Sequence, residues 1–303
     1  MTGGGGVLAA CEREVPIALP GEVVVRVRVC GVCEIDVLIA DGALPPVEVP
    51  IIPGHEIVGV VDVVGDGVTD LQIGDRVGVS RLGHTCGGCE YCASGRENLC
   101  GDARFTGSHM DGGCAEYVVA DAAYAFKLPA GYTDTEAAPL LCAGATGYRA
   151  YRMAGKAQRL GLYGGGPAPD LIAQVAAHHQ RDAYVVTKAA PPPVPLDAAI
   201  VFGGDGSLVA EAIGHIAPGG LVVCAGTVMS AIPSLSYRQL ADERAIRTVT
   251  HLTREDLRDF VALAATVALQ THVQTYRLTD ANRALADLRE GRVAGSAALV
   301  ISS

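Results

Sequence analysis

Four cysteines crowd one short loop. Residues 86–100 read CGGCEYCASGRENLC, which places Cys86, Cys89, Cys92 and Cys100 in a C-x2-C-x2-C-x7-C pattern. Zinc takes four thiolates in a tetrahedron, and short C-x2-C turns bring pairs of sulfurs to one point. Four unrelated loop thiols are the plainer alternative, and the spacing argues against it. A closed four-sulfur site has no open coordination position, so its expected role is to staple a lobe rather than to react.

A second set of metal-binding residue types is dispersed over CGVCEID (30–36), PGHEIVG (53–59) and APLLCAGATGY (138–148). Together Cys33, His55 and Cys142 would supply two sulfurs and one imidazole. The fourth position would then be left to water or substrate, as in catalytic zinc sites. Singly, each residue has a blander reading: a lone cysteine is usually a small buried hydrophobe, and a histidine beside glycine can cap a turn. Their order around the four-cysteine loop favours the joint reading. Cys11, Cys30, Cys114 and Cys224 sit in apolar, strand-like stretches and are expected as core thiols.

Bulk properties bound what these sets can serve. The chain has 303 residues, enough for two domains, with half of them apolar and 18% charged. A formal net charge of −10 offers no basic footprint for nucleic acid. No apolar run reaches the ~18 residues of a membrane span, and the N-terminal stretch lacks the layout of a secretion signal. A cytoplasmic protein acting on a small molecule is expected, with its ten cysteines as thiols or metal ligands rather than disulfides.

The elements that must position these residues change type along the chain. Up to about Val119, period-2 stretches such as EVVVRVRV and EIVGVVDVV, broken by glycine and proline, predict a curled antiparallel barrel. From Gly144, TGYRAYRMAG and DLIAQVAAHHQ read as helices. RLGLYG, AYVVTK, DAAIVF, LVVCAG and AIRTVT read as short buried strands. Alternation of this kind predicts an α/β domain with a parallel sheet. Thr253 is a candidate N-cap for TREDLRDFVALAATVAL, and the tail reads as a helix, a glycine stop and a strand.

With these motifs in place (PGEVVVRVRVCGVC, PGHEIVGVV, GDRVGV, the four-cysteine loop, DGGCAEYVV, EAAPLLCAGATGY and APGGLVVCAG), the chain resembles the zinc-dependent medium-chain alcohol dehydrogenase family over nearly its whole length. The resemblance implies a GroES-like catalytic domain over 1–143, a doubly wound Rossmann-type domain over 144–268, and a return to the first domain over 269–303. It implies Cys33, His55 and Cys142 as ligands of a catalytic zinc, with Glu56 beside the metal as a further possible ligand. Asp36 would orient His55, as carboxylates commonly do for metal-bound imidazoles. Thr146 matches a position that packs against nicotinamide, and a homodimer or homotetramer is implied.

Departures from the family gather on two functions. In the turn LYGGGPAPDL, Gly164 and Gly166 remain, but Pro169 takes the third glycine position and Pro167 lies between. Proline offers phosphate no N–H, and Asp170 sets a carboxylate where a phosphate would sit. Between AYVVTK and DAAIVF only AAPPPVPL intervenes, too short for a helical crossover, so the Rossmann-type sheet should lack a helix and an edge strand. No acid ends AYVVTK to hold a ribose, although Lys188 could meet a 2′-phosphate. At the metal, Ile35 and Leu38 replace groups that carry the alcohol proton in relatives, and neither exchanges a proton. Glu34 stands where a basic residue often follows the zinc cysteine, and Ser296 where many relatives carry a phosphate-contacting arginine.

Two zinc ions are therefore the expected cofactors, and NAD(P) a doubtful one. The leading expectation is a repurposed zinc enzyme without nicotinamide: zinc would polarise a substrate oxygen, with Glu56, or Glu34 if it faces the site, as general base for elimination, cyclisation or isomerisation, a lyase-like chemistry. The alternative is an NAD(P)H-dependent oxidoreductase that reduces a carbonyl, an enal or an iminium, favoured by Thr146 and the two retained glycines. A third reading is a non-catalytic binding descendant, against which the retained open triad speaks.

Overall fold

Valine alternation and glycine-marked turns build a sheet around one long strand. The computed structural model describes residues 6–44, 50–226 and 228–301. They fall into two compact units: Met1–Cys142 with Thr253–Ala265 and Thr271–Ser303, and Ala143–Leu252 with Thr266–Gln270. The segment Thr253–Ala265 thus belongs to the first unit, where the sequence expectation had placed it in the second.

In the first unit, strand β1 (Glu22–Val32) is central. It pairs antiparallel with β2 (Glu56–Val64) along one edge, and with β6 (Tyr117–Asp121) and β14 (Ser296–Val300) on the other. The path continues through β3 (Arg76–Val79) and β7 (Ala125–Lys127) at one end, and through β13 (Val273–Arg277), parallel to β14, at the other. Every second residue from Val23 points into one core: Val23, Val25 and Val27 are fully buried and pack with Ile57, Val61, Val77 and Val118. The expected antiparallel character holds here apart from the β13–β14 pair. A separate ribbon, β4 (Leu82–His84) with β5 (Arg104–Phe105), flanks the cysteine loop. Short helices α1 (Glu34–Ala40), α2 (Glu90–Ala93) and α3 (Asp134–Ala137) begin beside the metal-binding residues or near them.

The second unit carries a five-stranded sheet of parallel strands: β8 (Arg159–Tyr163), β9 (Asp182–Val186), β10 (Leu196–Val201), β11 (Ile216–Cys224) and β12 (Ala245–Thr248), in spatial order β12-β11-β10-β8-β9. That is the doubly wound order with its outermost strand missing beyond β9, as the short AAPPPVPL connection requires. Residues 187–195 join β9 to β10 as an almost wholly exposed segment without a helix, beginning with a tight turn closed between Thr187 and Ala190. Helix α4 (Ala143–Met153) packs on α5 (Pro167–His178) through Gly147, where an added Cβ would lie 2.8 Å from Ile172. Helix α6 (Ser207–His215), left unassigned by the periodicity, buries Val209, Ala212 and Ile213 against the sheet, and the short α7 (Tyr237–Leu240) precedes β12.

Thr253 starts α8 (Arg254–Val267) as expected: its hydroxyl donates to Asp256 at 2.8 Å and accepts the Asp256 N–H at 3.1 Å. The tail is helix α9 (Ala281–Arg289), Gly291 at φ +64°, and β14. Among the described residues no helix is long and apolar enough to cross a membrane.

Candidate metal centres

The loop after β4 folds its four thiols onto one point. The Cys86–Cys100 and Cys89–Cys92 sulfur pairs are each 3.5 Å apart, Cys86 and Cys92 are 4.0 Å apart, and all four sulfurs lie within 4.8 Å of one another. Zinc–sulfur bonds of about 2.3 Å at tetrahedral angles demand sulfurs about 3.8 Å apart. The set fits zinc. Local chemistry favours thiolates: the backbone N–H of Gly88 and then of Cys89 draw the Cys86 thiol down to about 7. Glu97, buried in the same loop, accepts from the backbone N–H of Arg254 at 2.9 Å and pairs with its guanidinium, which ties the loop to the start of α8.

The second set comes together from three places. Cys33 sits at the N-cap of α1, His55 at the entry to β2, and Cys142 at the end of the 3-10 turn Ala138–Leu141. With Glu56 they form a group whose ligand atoms all lie within 4.8 Å of one another. Cys33 Sγ is 3.4 Å from His55 Nε2, against about 3.5 Å for sulfur and nitrogen sharing one tetrahedral zinc. His55 is fully buried and Glu56 is 3% exposed. The donor set, two sulfurs, one imidazole and a carboxylate at its side, fits an open zinc centre.

Asp36 organises this group. Its Oδ2 accepts from the Cys33 N–H at 2.9 Å and its Oδ1 from the Gly54 N–H at 3.1 Å. The same Oδ1 stands 3.3 Å from His55 Nδ1, close but off-line for a hydrogen bond. Burial alone would raise the Asp36 carboxyl, but His55 outweighs it and holds the group below its ordinary range. Burial likewise opposes charge on His55, and Asp36 with Cys33 reverses that, lifting the imidazole well above its usual value. Glu56 is pushed well up, chiefly by burial and then by the Cys33 charge.

Other expected residues are placed as follows. Glu34 is exposed on the first turn of α1 and is not among the clustered groups. Ile35 is buried beside Cys33, and Leu38 is partly buried. Cys30 and Cys224 are core thiols and Cys114 is half-buried, but Cys11 is exposed. Arg81 escaped the sequence reading: it is only 7% exposed, lies between β3 and β4, and acts electrostatically on Cys33, Asp36 and Cys142. The signal was present as a lone cation inside the apolar stretch VGVSRLG.

In the second unit, Gly164 has φ +101°, and a Cβ there would meet the Phe202 carbonyl at 2.1 Å. Gly166, at φ +83°, caps α5, and Cβ positions on Gly165 and Gly166 would open on free space. The backbone shape that lets a diphosphate approach therefore survives. Its donors are thinned, since Pro167 and Pro169 stand in the first turn, and Asp170 adds a negative charge there. A dinucleotide fits the glycine geometry with fewer N–H groups to hold it. Thr146 is half-buried in the first turn of α4; Lys188 is exposed and acts on Asp205.

Two family models match the chain: "Alcohol dehydrogenase GroES-like domain" over residues 19–130 and "Zinc-binding dehydrogenase" over residues 173–299. A probable alcohol dehydrogenase of Mycobacterium tuberculosis is 43% identical over 98% of this chain and 93% of its own length. An alcohol dehydrogenase of Geobacillus stearothermophilus is 31% identical over 94% of this chain and 93% of its own. Among solved structures, a thermostable alcohol dehydrogenase from Pyrobaculum aerophilum superposes with a TM-score of 0.85 at 27% identity, over 95% of this chain and 94% of that one. These relatives give no support to the expected non-redox, lyase-like chemistry; thinning the phosphate turn left its backbone path in place, so the departures did not carry that conclusion. The chain belongs to the zinc-dependent medium-chain family of alcohol dehydrogenases.

Proposed function

We propose that this protein is a zinc-dependent oxidoreductase that interconverts a carbonyl compound and its reduced form with NAD(P)(H). The observation that carries the reading is the open cluster of Cys33, His55, Glu56 and Cys142, built in a chain whose relatives are alcohol dehydrogenases. Cys33, His55 and Cys142 would hold a zinc ion, which would supply a Lewis acid for a substrate oxygen, and a bound nicotinamide would supply the hydride chemistry.

The chain's own residues supply the rest. Asp36 fixes the Cys33 and Gly54 backbone and faces His55, so the donors are set before substrate arrives. Ile35, buried and next to Cys33 in sequence, brings no hydrogen-bonding group there. Glu56, at the cluster's edge, is the carboxyl placed to hold a proton at its Oε atoms. Because Ile35 and Leu38 cannot pass a proton outward, iminium groups, which hydride alone reduces, and enals, whose proton is delivered to carbon rather than to a zinc-bound oxygen, join aldehydes as the substrates to try. The test is NADH and NADPH oxidation by zinc-replete protein across aldehydes, ketones, enals and cyclic imines. Steady oxidation with at least one class is expected; silence across the panel, with both zinc ions present, would end this reading.

A further inference from the structure

Arg81 is a buried cation whose donors are left over. Its guanidinium lies over the Phe105 ring at 5.3 Å, and its carbonyl accepts the Thr106 N–H at 2.8 Å. The preceding residue, Ser80, donates its hydroxyl to the carbonyl of Leu141 at 2.7 Å, one residue before Cys142. The backbone at Ser80 and Arg81 is thus pinned close to Cys142, with the Phe105 ring against the guanidinium. Yet its Nε and Nη1 atoms are enclosed and have no hydrogen-bond partner among the described residues.

Enclosing a guanidinium without a paired anion is costly, and burial depresses its affinity for the proton. The negative groups in reach do not satisfy it. Both oxygens of Asp36 are already committed, to Cys33 N–H and to Gly54 N–H. Cys33 and Cys142 would spend their charge on the metal. What remains is a fixed, desolvated donor set that acts on the same Cys33 and Cys142 that would hold the metal. Such a set matches a planar anion better than any neutral group.

Building on the oxidoreductase reading, we propose that Arg81 is a specificity-determining residue and that the substrate it selects carries a carboxylate, as an oxo acid or hydroxy acid does. Arg81 orients that carboxylate while the carbonyl end approaches the cluster.

The experiment has a binding arm and a turnover arm, both on zinc-loaded protein. In calorimetry, butyrate is expected to bind wild type roughly tenfold to a hundredfold more tightly than butyramide, the range of a charge-assisted hydrogen bond. Arg81→Met, checked for unchanged zinc content, should lose that advantage, whereas Arg81→Lys should keep part of it. Carboxylate affinity that survives in Arg81→Met reports the metal alone; if it equals the wild-type value, the proposal is overturned. In turnover, kcat/KM for ω-oxo acids should exceed that for alkanals of equal length, and Arg81→Met should erase the preference mainly through KM. Equal use of both classes by wild type would also overturn it. Should neither class be turned over while wild type still discriminates butyrate from butyramide, the oxidoreductase reading falls and the carboxylate site stands. If Arg81→Met does not fold, wild-type discrimination and Arg81→Lys decide.

Discussion

Gly31 and Glu56 are registered partners across β1 and β2, and a Cβ on Gly31 would lie 2.1 Å from Glu56 Oε2 and 2.8 Å from Glu56 Cβ. The buried carboxylate occupies space that only glycine leaves. Gly31→Ala should therefore displace Glu56 from the cluster, at a stability cost of roughly 1–3 kcal/mol for overpacking. Turnover should fall at least as far as in Glu56→Gln. A variant with wild-type turnover and a crystal structure with Glu56 unmoved would refute the coupling.

The four-thiol loop is expected to hold its own zinc independently of the open centre. Cys89→Ser should remove one zinc per chain by elemental analysis and loosen the loop that Glu97 ties to Arg254. A fall in Tm of at least about 5 °C follows if a few kcal/mol are lost, given the roughly 2–4 °C per kcal/mol of chains this size. An unchanged zinc count would show that the loop is not a metal staple.

Asp170 stands in the first turn of α5, where a diphosphate would approach. Asp170→Asn should tighten NADPH and NADH binding roughly two- to fivefold, the scale of one charge at a helix start. Fluorescence titration reads this directly. Weaker binding in the variant would mean that the carboxylate assists the nucleotide rather than repelling it.

Acid stability should depend on Asp197, which accepts from the Gln158 N–H at 3.1 Å and the Arg159 N–H at 2.8 Å and pairs with the Arg159 guanidinium. The Arg159 guanidinium above all holds this carboxyl below its ordinary 3.8. A group lowered on folding stabilises the protein above its unfolded value and loses that contribution as pH falls through 3.8 towards the folded value. Asp197→Asn should lower stability at neutral pH and flatten the decline below pH 3.8, as read by urea unfolding. Parallel stability–pH curves for the two proteins would contradict this.

Much of this architecture was legible because its signals are local. The C-x2-C pairs, the alternating valines of β1 and the Thr253 cap each declare themselves within a few residues. The missing edge strand was legible too, since AAPPPVPL cannot hold a crossover helix. Three things were not. Helix α6 begins after Gly206, which has no capping side chain, and its first N–H is taken one residue early by Asp205, off the usual N-cap position. Glu34 and Asp36 look alike in CEID, and only the helix phase puts one in solvent and the other against His55. Arg81 meets Cys33 and Cys142 through a fold that joins distant segments, which no spacing rule records. The non-redox expectation failed for a similar reason: two prolines remove donors, but the path of the backbone at Gly164 and Gly166 is set by torsion angles a sequence does not print.

The most direct measurement is NAD(P)H oxidation by wild type and by Cys142→Ser, run on samples whose zinc content and fold have been verified. Wild type should carry two zinc ions and turn over a carbonyl substrate; Cys142→Ser should keep the zinc of the four-thiol loop, lose the other, and slow by roughly a hundredfold or more, as expected when a Lewis acid is removed. Undiminished turnover in a Cys142→Ser protein that lacks the second zinc would contradict the assignment of the open centre as the seat of the reaction.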